Sequence, residues 1–215
     1  LRCYEDVRYT YVQEGRPVWP EYDDHLMSGL DIEYDPSQPI HIGLDFGLTP
    51  AAAIGQKLSN GRWVVLDEIV TEDMGLERFG QQLLGEINAK YPKAQILIWG
   101  DPAGMQRDAI YEVTAFDYLR TLGLKAQPTA SNNFRVRREG AAAPMQRLIE
   151  GKPGLMIHTK CKLLRKSLAG GYHFKRIAVG AGHERFKDSP NKNEHSHIGD
   201  AFGYLMLGGG EHRRM

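Results

Sequence analysis

Three aspartates of this sequence occupy positions that need a chemical explanation. Asp45 lies near the end of the stretch I-H-I-G-L-D-F, with glycines at 43 and 47 that allow backbone or ligand to approach closely. Asp101 follows the apolar run A-Q-I-L-I-W in the turn W-G-D-P-A-G, and Asp200 is expected to open an apolar helix in H-S-H-I-G-D-A-F-G-Y. A carboxylate at the edge of such a helix is costly to bury unless a cation meets it.

Together, the three carboxylates are typical of a site for divalent cations. Carboxylates that converge raise one another's pKa, and hard oxygen ligands suit Mg²⁺ or Mn²⁺ better than zinc. Two such ions about 3.5–4 Å apart hold the attacking water and the leaving oxygen in phosphodiester hydrolysis. Taken singly, Asp101 is also an ordinary turn residue before proline, and Asp200 also complements a helix dipole. Their joint order along the chain is the more specific signal.

Two histidines precede Asp200. His195 and His197 are two residues apart at a helix entrance with no cysteine nearby, a pattern that disfavours a zinc pair. His197 lies three residues before Asp200 and shares its helical face if the helix has begun. There it could orient a metal ligand or transfer a proton, and a capping or packing role is equally compatible with the sequence. We therefore include His197 among the candidate catalytic residues.

Hydrophobic periodicity predicts an α/β protein with a mixed sheet flanked by helices. The expected order is βββαβαβα, with an added β-hairpin in the C-terminal half. Asn60-Gly61 predicts a hairpin between the second and third strands. The expected strands are 40–46, 51–58, 62–70, 94–99, 124–128 and 154–158, with a strand pair around 172–177, and the expected helices are 75–90, 114–122, 141–150, 160–169 and one from about 196.

This order offers a way to bring the three aspartates together. Ligand sites in sheets of this kind collect at the C-terminal ends of parallel strands. If the first and fourth strands are adjacent and parallel, Asp45 and Asp101 lie side by side. A final helix packed across that edge would bring Asp200 to the same point.

The composition is that of a globular protein with one sizeable core. The chain has 215 residues, of which 41% are hydrophobic and 25% charged. Its apolar runs are shorter than the roughly 18 residues of a membrane span, and no signal-peptide segment begins it. Cys3 and Cys161 form no C-x-x-C motif, which disfavours a zinc knuckle or a disulfide framework and fits a reducing cytoplasm. Residues 1–39 are polar and irregular in pattern, so the domain is expected to span 40–215.

A formal net charge of zero conceals a strong asymmetry along the chain. Residues 1–124 hold 10 Lys and Arg against 20 Asp and Glu, whereas residues 125–187 hold 14 against 3. The second segment is a candidate surface for a phosphate backbone, and a basic face that pairs with the acidic first half explains the charge equally well. The candidate DNA contacts are Arg135, Arg137, Arg138, Lys160, Lys162, Lys166, Lys175 and Arg176.

With these residues the chain resembles the nuclease domain of phage terminase large subunits, a ribonuclease H-like family. The resemblance covers about residues 40–207. G-L-D-F-G is similar to the family's first acidic motif, W-G-D-P-A-G to the second and H-S-H-I-G-D-A-F-G-Y to the third, and the stretches K-C-K-L-L-R-K-S-L-A-G-G-Y-H-F-K-R and G-R-P-V-W-P-E-Y also resemble it. The sequence departs from the family in two respects. Some relatives carry Glu in place of Asp101, and the ATPase motif G-x-x-x-x-G-K-[ST] of complete large subunits does not occur in this sequence.

The resemblance implies a two-metal endonuclease that cuts concatemeric double-stranded viral DNA at the initiation and termination of packaging. It implies that Asp45 is shared by two divalent cations, Mg²⁺ or Mn²⁺, and that Asp101 and Asp200 each complete one site. It further implies three protein partners, namely the ATPase half of the same subunit, the small terminase subunit and the portal. Action in the host cytoplasm and transiently at the procapsid portal follows, with no membrane. Residues 1–39 would be the remnant of the interdomain link.

Other interpretations of the same residues stay open. L-D-F-G-L-T also fits D-x-G-x-T, the phosphate-binding hairpin of actin-like ATPases and sugar kinases, although those proteins need two related domains and this chain has room for one. The acid triad is equally compatible with a Holliday-junction resolvase, a ribonuclease H or a transposase core. A third possibility is a DNA-binding domain without activity on a nuclease fold, against which the presence of all three acids speaks.

Overall fold

The computed structural model describes residues 15–47, 49–106, 113–177 and 185–211. The first fourteen residues of the expected interdomain link, including Cys3, lie outside these ranges. The helices are α1 (Asp24–Met27), α2 (Leu76–Lys90), α3 (Ala115–Thr121), α4 (Phe134–Met145), α5 (Lys162–Lys166) and α6 (Glu194–Gly208). The strands are β1 (Gly15–Pro17), β2 (Ser28–Gly29), β3 (Ile40–Asp45), β4 (Ala51–Lys57), β5 (Trp63–Val70), β6 (Ile96–Gly100), β7 (Ala126–Pro128), β8 (Leu148–Ile149), β9 (Lys152–Pro153), β10 (Leu155–His158), β11 (His173–Ile177) and β12 (Arg185–Phe186).

Seven strands form one mixed sheet in the order β2-β10-β5-β4-β3-β6-β7. β3, β4 and β5 pair antiparallel, and the predicted hairpin at Asn60-Gly61 joins the last two. β6 lies parallel beside β3, with Leu44 opposite Gly100. The predicted mixed sheet and the parallel adjacency of its first and fourth predicted strands are therefore confirmed.

Helices cover both faces of the sheet. α2 and α3 contribute to the core on one face, together with Ile42 and Leu44 of β3. α4, α5 and α6 contribute to the core on the other face. Because side chains alternate along a strand, the second side of β3 carries His41, Gly43 and Asp45 toward α6. Among the described residues, no helix is long and apolar enough to cross a bilayer.

The close contact between β3 and α6 depends on Gly43. A Cβ atom at this position would lie 2.1 Å from the carbonyl oxygen of Ala201 and 2.3 Å from the amide nitrogen of Leu205. Only a residue without a side chain fits this space, so the helix backbone rests directly on the strand. Asp200 immediately precedes the contacting Ala201, and this packing therefore carries its carboxylate to the end of β3.

Three helices differ from their predicted bounds. α4 begins at Phe134 instead of 141, because the Asn133 side chain accepts hydrogen bonds from the first amides of the basic stretch F-R-V-R-R. α5 is short and continues into a π-helical turn over Ser167–Gly171. α6 begins at Glu194, where Asn193 and Ser196 form a capping box. The prediction that Asp200 opens this helix is wrong, since Asp200 lies in its second turn.

The N-terminal segment is more structured than its polar sequence predicts. β1 pairs with β11, which pairs antiparallel with β12, so the expected C-terminal hairpin gains a third strand. Val18 and Trp19 are each 1% exposed and belong to the core, and Trp19 Nε1 donates to the carbonyl of Arg138 at 3.0 Å. The expectation of a lead-in outside the core therefore does not hold for these residues. The domain boundary at residue 40 stays a prediction.

Candidate active site

Asp45 and Asp101 lie beside each other at the ends of two parallel strands. Asp45 is the last residue of β3 and Asp101 directly follows β6, and the Asp101 amide donates to the Leu44 carbonyl at 3.2 Å. Asp45 is 7% exposed, and burial raises the pKa of its carboxyl group. Asp101 is half-buried, and its Oδ1 accepts from the Ala103 amide at 2.9 Å, which caps the short 3₁₀ helix Pro102–Met105. Asp101 therefore has the turn role expected from its sequence and also lies beside Asp45.

His197 of α6 contacts Asp45 directly. Its Nδ1 atom is 3.0 Å from Asp45 Oδ2. Burial is the main cause of the raised pKa of Asp45, the hydrogen bond from His197 opposes it, and the negative charge of Asp200 adds to it. Because α6 begins before His197, this residue shares a helical face with Asp200 as the spacing predicts. His197 nevertheless contacts the carboxylate of Asp45 and not that of Asp200.

Asp200 is buried and hydrogen-bonded to two cationic side chains. It is 2% exposed, and its Oδ1 accepts from Arg137 Nη2 at 2.8 Å and from the Tyr172 hydroxyl at 3.3 Å. Its Oδ2 accepts from Lys192 Nζ. The cationic partner that the apolar surroundings of Asp200 require is therefore supplied by α4 and by the residues before α6.

Arg137 is held in place by several contacts besides Asp200. Its Nη1 donates to the Asn132 carbonyl at 3.2 Å and to the Tyr204 hydroxyl at 2.8 Å, and its guanidinium lies 4.6 Å from the centroid of the Tyr204 ring. A Cβ atom at Gly203 would lie 2.4 Å from Arg137 Cγ, so this glycine makes room for the arginine on α6. The pKa of Arg137 is raised overall, because the lowering by burial is outweighed by nearby groups, chiefly the negative charge of Asp200, so the guanidinium keeps its charge.

Two buried tyrosines each lie within electrostatic range of two of the three carboxylates. Burial raises the pKa of the Tyr204 hydroxyl, and the charges of Asp101 and Asp45 add to this rise. Burial likewise raises the pKa of the Tyr172 hydroxyl, and the charges of Asp200 and Asp45 act in the same direction. The three aspartates therefore lie within electrostatic range of one pair of phenols, at one end of the sheet.

Several solved structures share the fold of this chain. The large terminase of bacteriophage D6E matches with a TM-score of 0.65 and 15% identity, over 90% of this chain and 44% of its own. The magnesium-bound large terminase nuclease of phage G20c matches with a TM-score of 0.58 and 14% identity, over 89% of this chain and 96% of its own. The nuclease domain of the P22 large terminase matches with a TM-score of 0.61 and 12% identity, over 88% and 91%.

The chain has the ribonuclease H-like fold of a terminase nuclease domain. The fold that the sequence motifs imply is therefore confirmed. The chain spans less than half the length of the D6E large terminase. No protein-family model matches the sequence, and no curated protein matches it either.

The donor atoms of this site fit a hard divalent cation. The G20c terminase nuclease has been solved with bound cobalt and with bound magnesium. Here Asp45, Asp101 and Asp200 offer only carboxylate oxygens, the ligands that Mg²⁺ and Mn²⁺ prefer. Within the described ranges, no three His, Cys, Asp or Glu side chains are grouped closely enough to hold an ion, and Asp200 is bonded to Arg137 and Lys192. The chemistry of the donors fits, and the charge of Asp200 is shared with protein cations.

The candidate basic residues occupy three kinds of position. Arg137 lies in the site with a side chain 7% exposed, which differs from the expected surface contact. Arg138 bonds to Glu21, and Lys160 Nζ lies 3.3 Å from Asp67 Oδ2, so part of the segment pairs with the acidic first half. The remaining candidates are exposed: Arg135, Lys162, Lys166, Lys175 and Arg176.

Sequence reasoning did not identify the residues around Asp200, which are its three hydrogen-bond partners and Tyr204, a partner of Arg137. A buried carboxylate signals that some cation must meet it, but the sequence does not say which one. Arg137 is 63 residues away from Asp200 and stands among other arginines. Lys192 is eight residues away in N-K-N-E-H, and Tyr172 and Tyr204 carry no polar signal that separates them from core residues. Spatial contact alone identifies all four.

Proposed function

We propose that this chain is the metal-dependent endonuclease domain of a viral DNA-packaging terminase large subunit. It cleaves concatemeric double-stranded DNA at the initiation and termination of packaging. The observation that carries this proposal is that Asp45, Asp101 and Asp200 lie at the same end of the sheet, in a fold shared with terminase nucleases. The resolvase and ribonuclease H alternatives use a similar triad, but the solved structures that support the proposal are terminases.

The residues of the site have separate tasks in this proposal. Asp45 would be the ligand shared by two divalent cations, Mg²⁺ or Mn²⁺, and Asp101 and Asp200 would each complete one of the two sites. When bound, the cations supply Lewis-acid activation of water and stabilise charge at the scissile phosphate. His197 holds Asp45 Oδ2 through a 3.0 Å contact and so fixes the orientation of that carboxylate.

DNA binding is assigned to the exposed basic residues. Lys162 and Lys166 are the first and last residues of α5, and Lys175 lies on β11, all with exposed side chains. They contact phosphates without reading bases, which gives cleavage little sequence preference and binding a strong dependence on salt. Arg135 lies on the exposed face of α4 and bonds to Glu139 at 2.9 Å, so it contributes less.

The wider assembly follows from the terminase assignment. The partners are the ATPase half of the same large subunit, the small terminase subunit and the portal. The protein acts in the host cytoplasm and transiently at the procapsid portal. What supports this part of the proposal is the likeness to a large terminase of which this chain spans 44%.

Nicking of supercoiled plasmid in the presence of Mg²⁺ or Mn²⁺ tests the function. Asp45→Asn removes the charge of the shared ligand and is expected to abolish cleavage, with an unchanged circular-dichroism spectrum. Asp31→Asn is the matched control, because Asp31 is exposed and lies outside the site. Full activity of Asp45→Asn, or cleavage by the wild type in excess EDTA, would refute the assignment of a metal-dependent nuclease.

A further inference from the structure

The two carboxylate oxygens of Asp200 have different partners. Oδ1 accepts from Arg137 Nη2 at 2.8 Å and from the Tyr172 hydroxyl at 3.3 Å, and these two bonds use both lone pairs of that oxygen. Oδ2 accepts from Lys192 Nζ. A new ligand of Asp200 therefore has to approach Oδ2, on the side that Lys192 occupies.

The two cations differ in how firmly they are held. Arg137 is 7% exposed and is anchored by the Asn132 carbonyl and the Tyr204 hydroxyl as well as by Asp200. The Lys192 side chain is 67% exposed and lies in the irregular stretch just before the cap of α6. Its ammonium group is also 5.9 Å from the centroid of the Tyr172 ring, a weaker contact. Lys192 is therefore the cation that can leave without disrupting the core.

We propose that Lys192 is a displaceable counter-ion of Asp200, and that it competes with the divalent cation for Oδ2. This inference rests on the cation site of the proposed function. Arg137 and Tyr172 keep the carboxylate in one orientation throughout, so Asp200 offers a single oxygen. A doubly charged ion is attracted to Oδ2 more strongly than an ammonium group at the same distance. Lys192 thus neutralises Asp200 in the metal-free protein and weakens the binding of the cation.

Calorimetric titration of Mn²⁺ into the protein, at fixed ionic strength and without DNA, tests the competition. Lys192→Met removes the ammonium and retains much of the side-chain length, and Lys192→Gln is a second neutral variant. Both are expected to bind Mn²⁺ about tenfold more tightly than the wild type, equivalent to about 1.4 kcal/mol. Lys192→Arg keeps a cation at this position and is expected to bind no more tightly than the wild type.

Lys125→Met is the matched control, because it changes the net charge equally at an exposed position just before β7. Its Mn²⁺ affinity is expected to stay within twofold of the wild type. Equal affinities for Lys192→Met, Lys192→Gln and the wild type would overturn the inference while leaving the cation site intact. If neither the wild type nor any Lys192 variant bound Mn²⁺, the cation site of the proposed function would be wrong and this inference with it.

Discussion

Replacing Arg137 by methionine tests whether the buried ion pair stabilises the site. The substitution removes the charge that lies 2.8 Å from Asp200 Oδ1. Both side chains are nearly inaccessible, with exposures of 7% and 2%. Loss of one partner of such a pair costs about 3–5 kcal/mol, because the other charge is left buried without compensation. Lys192 still faces Oδ2, so we expect a loss near the lower end, about 3 kcal/mol.

Urea unfolding, followed by the fluorescence of the buried Trp19 and Trp63, measures this loss. For a domain of this size, about 3 kcal/mol corresponds to a decrease of roughly 6–12 °C in Tm. Arg135→Met is the control, because it removes an arginine from the same helix whose side chain is 86% exposed. We expect that control to change stability by less than about 1 kcal/mol.

A double-mutant cycle with Asp200→Asn isolates the interaction itself. If Arg137 and Asp200 act as a pair, the two single losses are not additive, and the coupling energy is about 1–3 kcal/mol. A loss below about 1 kcal/mol for Arg137→Met, or strictly additive effects in the cycle, would show that the ion pair does not stabilise the fold.

Three further predictions concern catalysis, pH and DNA binding. His197→Ala should lower the nicking rate about 10–100-fold, because Asp45 loses the contact that orients it. His25→Ala is the control, since His25 is exposed, and it should leave the rate unchanged. Equal nicking rates for His197→Ala and the wild type would contradict the orienting role. Burial, and then the charge of Lys57, lowers the pKa of His41 from 6.5 to about 4. The unfolded chain therefore takes up a proton in this interval that the folded protein does not, and the free energy of unfolding should fall by about 3 kcal/mol as the pH decreases from 6.5 to 4. His41→Phe, which keeps an aromatic ring between Trp63 and Trp99, should remove that part of the pH dependence in urea titrations, and an unchanged profile would contradict it. Replacing Lys162, Lys166 and Lys175 together by alanine should reduce the slope of log DNA affinity against log salt concentration by up to about 2.7. Lys125→Ala is the control. An unchanged slope in the triple variant would exclude these lysines as phosphate contacts.

The strands, and the positions of Asp45 and Asp101 at strand ends, could be predicted because the sequence patterns that indicate them are local. Alternation along β3, the Asn60-Gly61 turn and the glycine and proline around Asp101 all act on neighbouring residues. The final helix was predictable from its apolar content, but its start was not, since Asn193 caps it earlier than the apolar run suggests. The first seven residues of α4 were missed for a related reason, because the charged residues among them are typical of a loop until the cap at Asn133 is seen.

The interior of the site could not be predicted because it depends on contacts between distant segments. Nothing near Arg137 distinguishes it from Arg135 and Arg138, yet only Arg137 points to Asp200. That choice depends on how α4 packs on α6, and Gly203 provides the space on the α6 side. Val18 and Trp19 likewise enter the core from a polar segment. Hydrophobic pattern predicts which elements form, whereas the pairing of single side chains follows from tertiary packing.

Anomalous diffraction from crystals soaked in Mn²⁺ tests the central claim most directly. We expect anomalous peaks between the carboxylates of Asp45, Asp101 and Asp200, with a ligand contact to Asp200 through Oδ2. Mn²⁺ peaks found only at other acidic residues, with these three carboxylates uncoordinated, would contradict it.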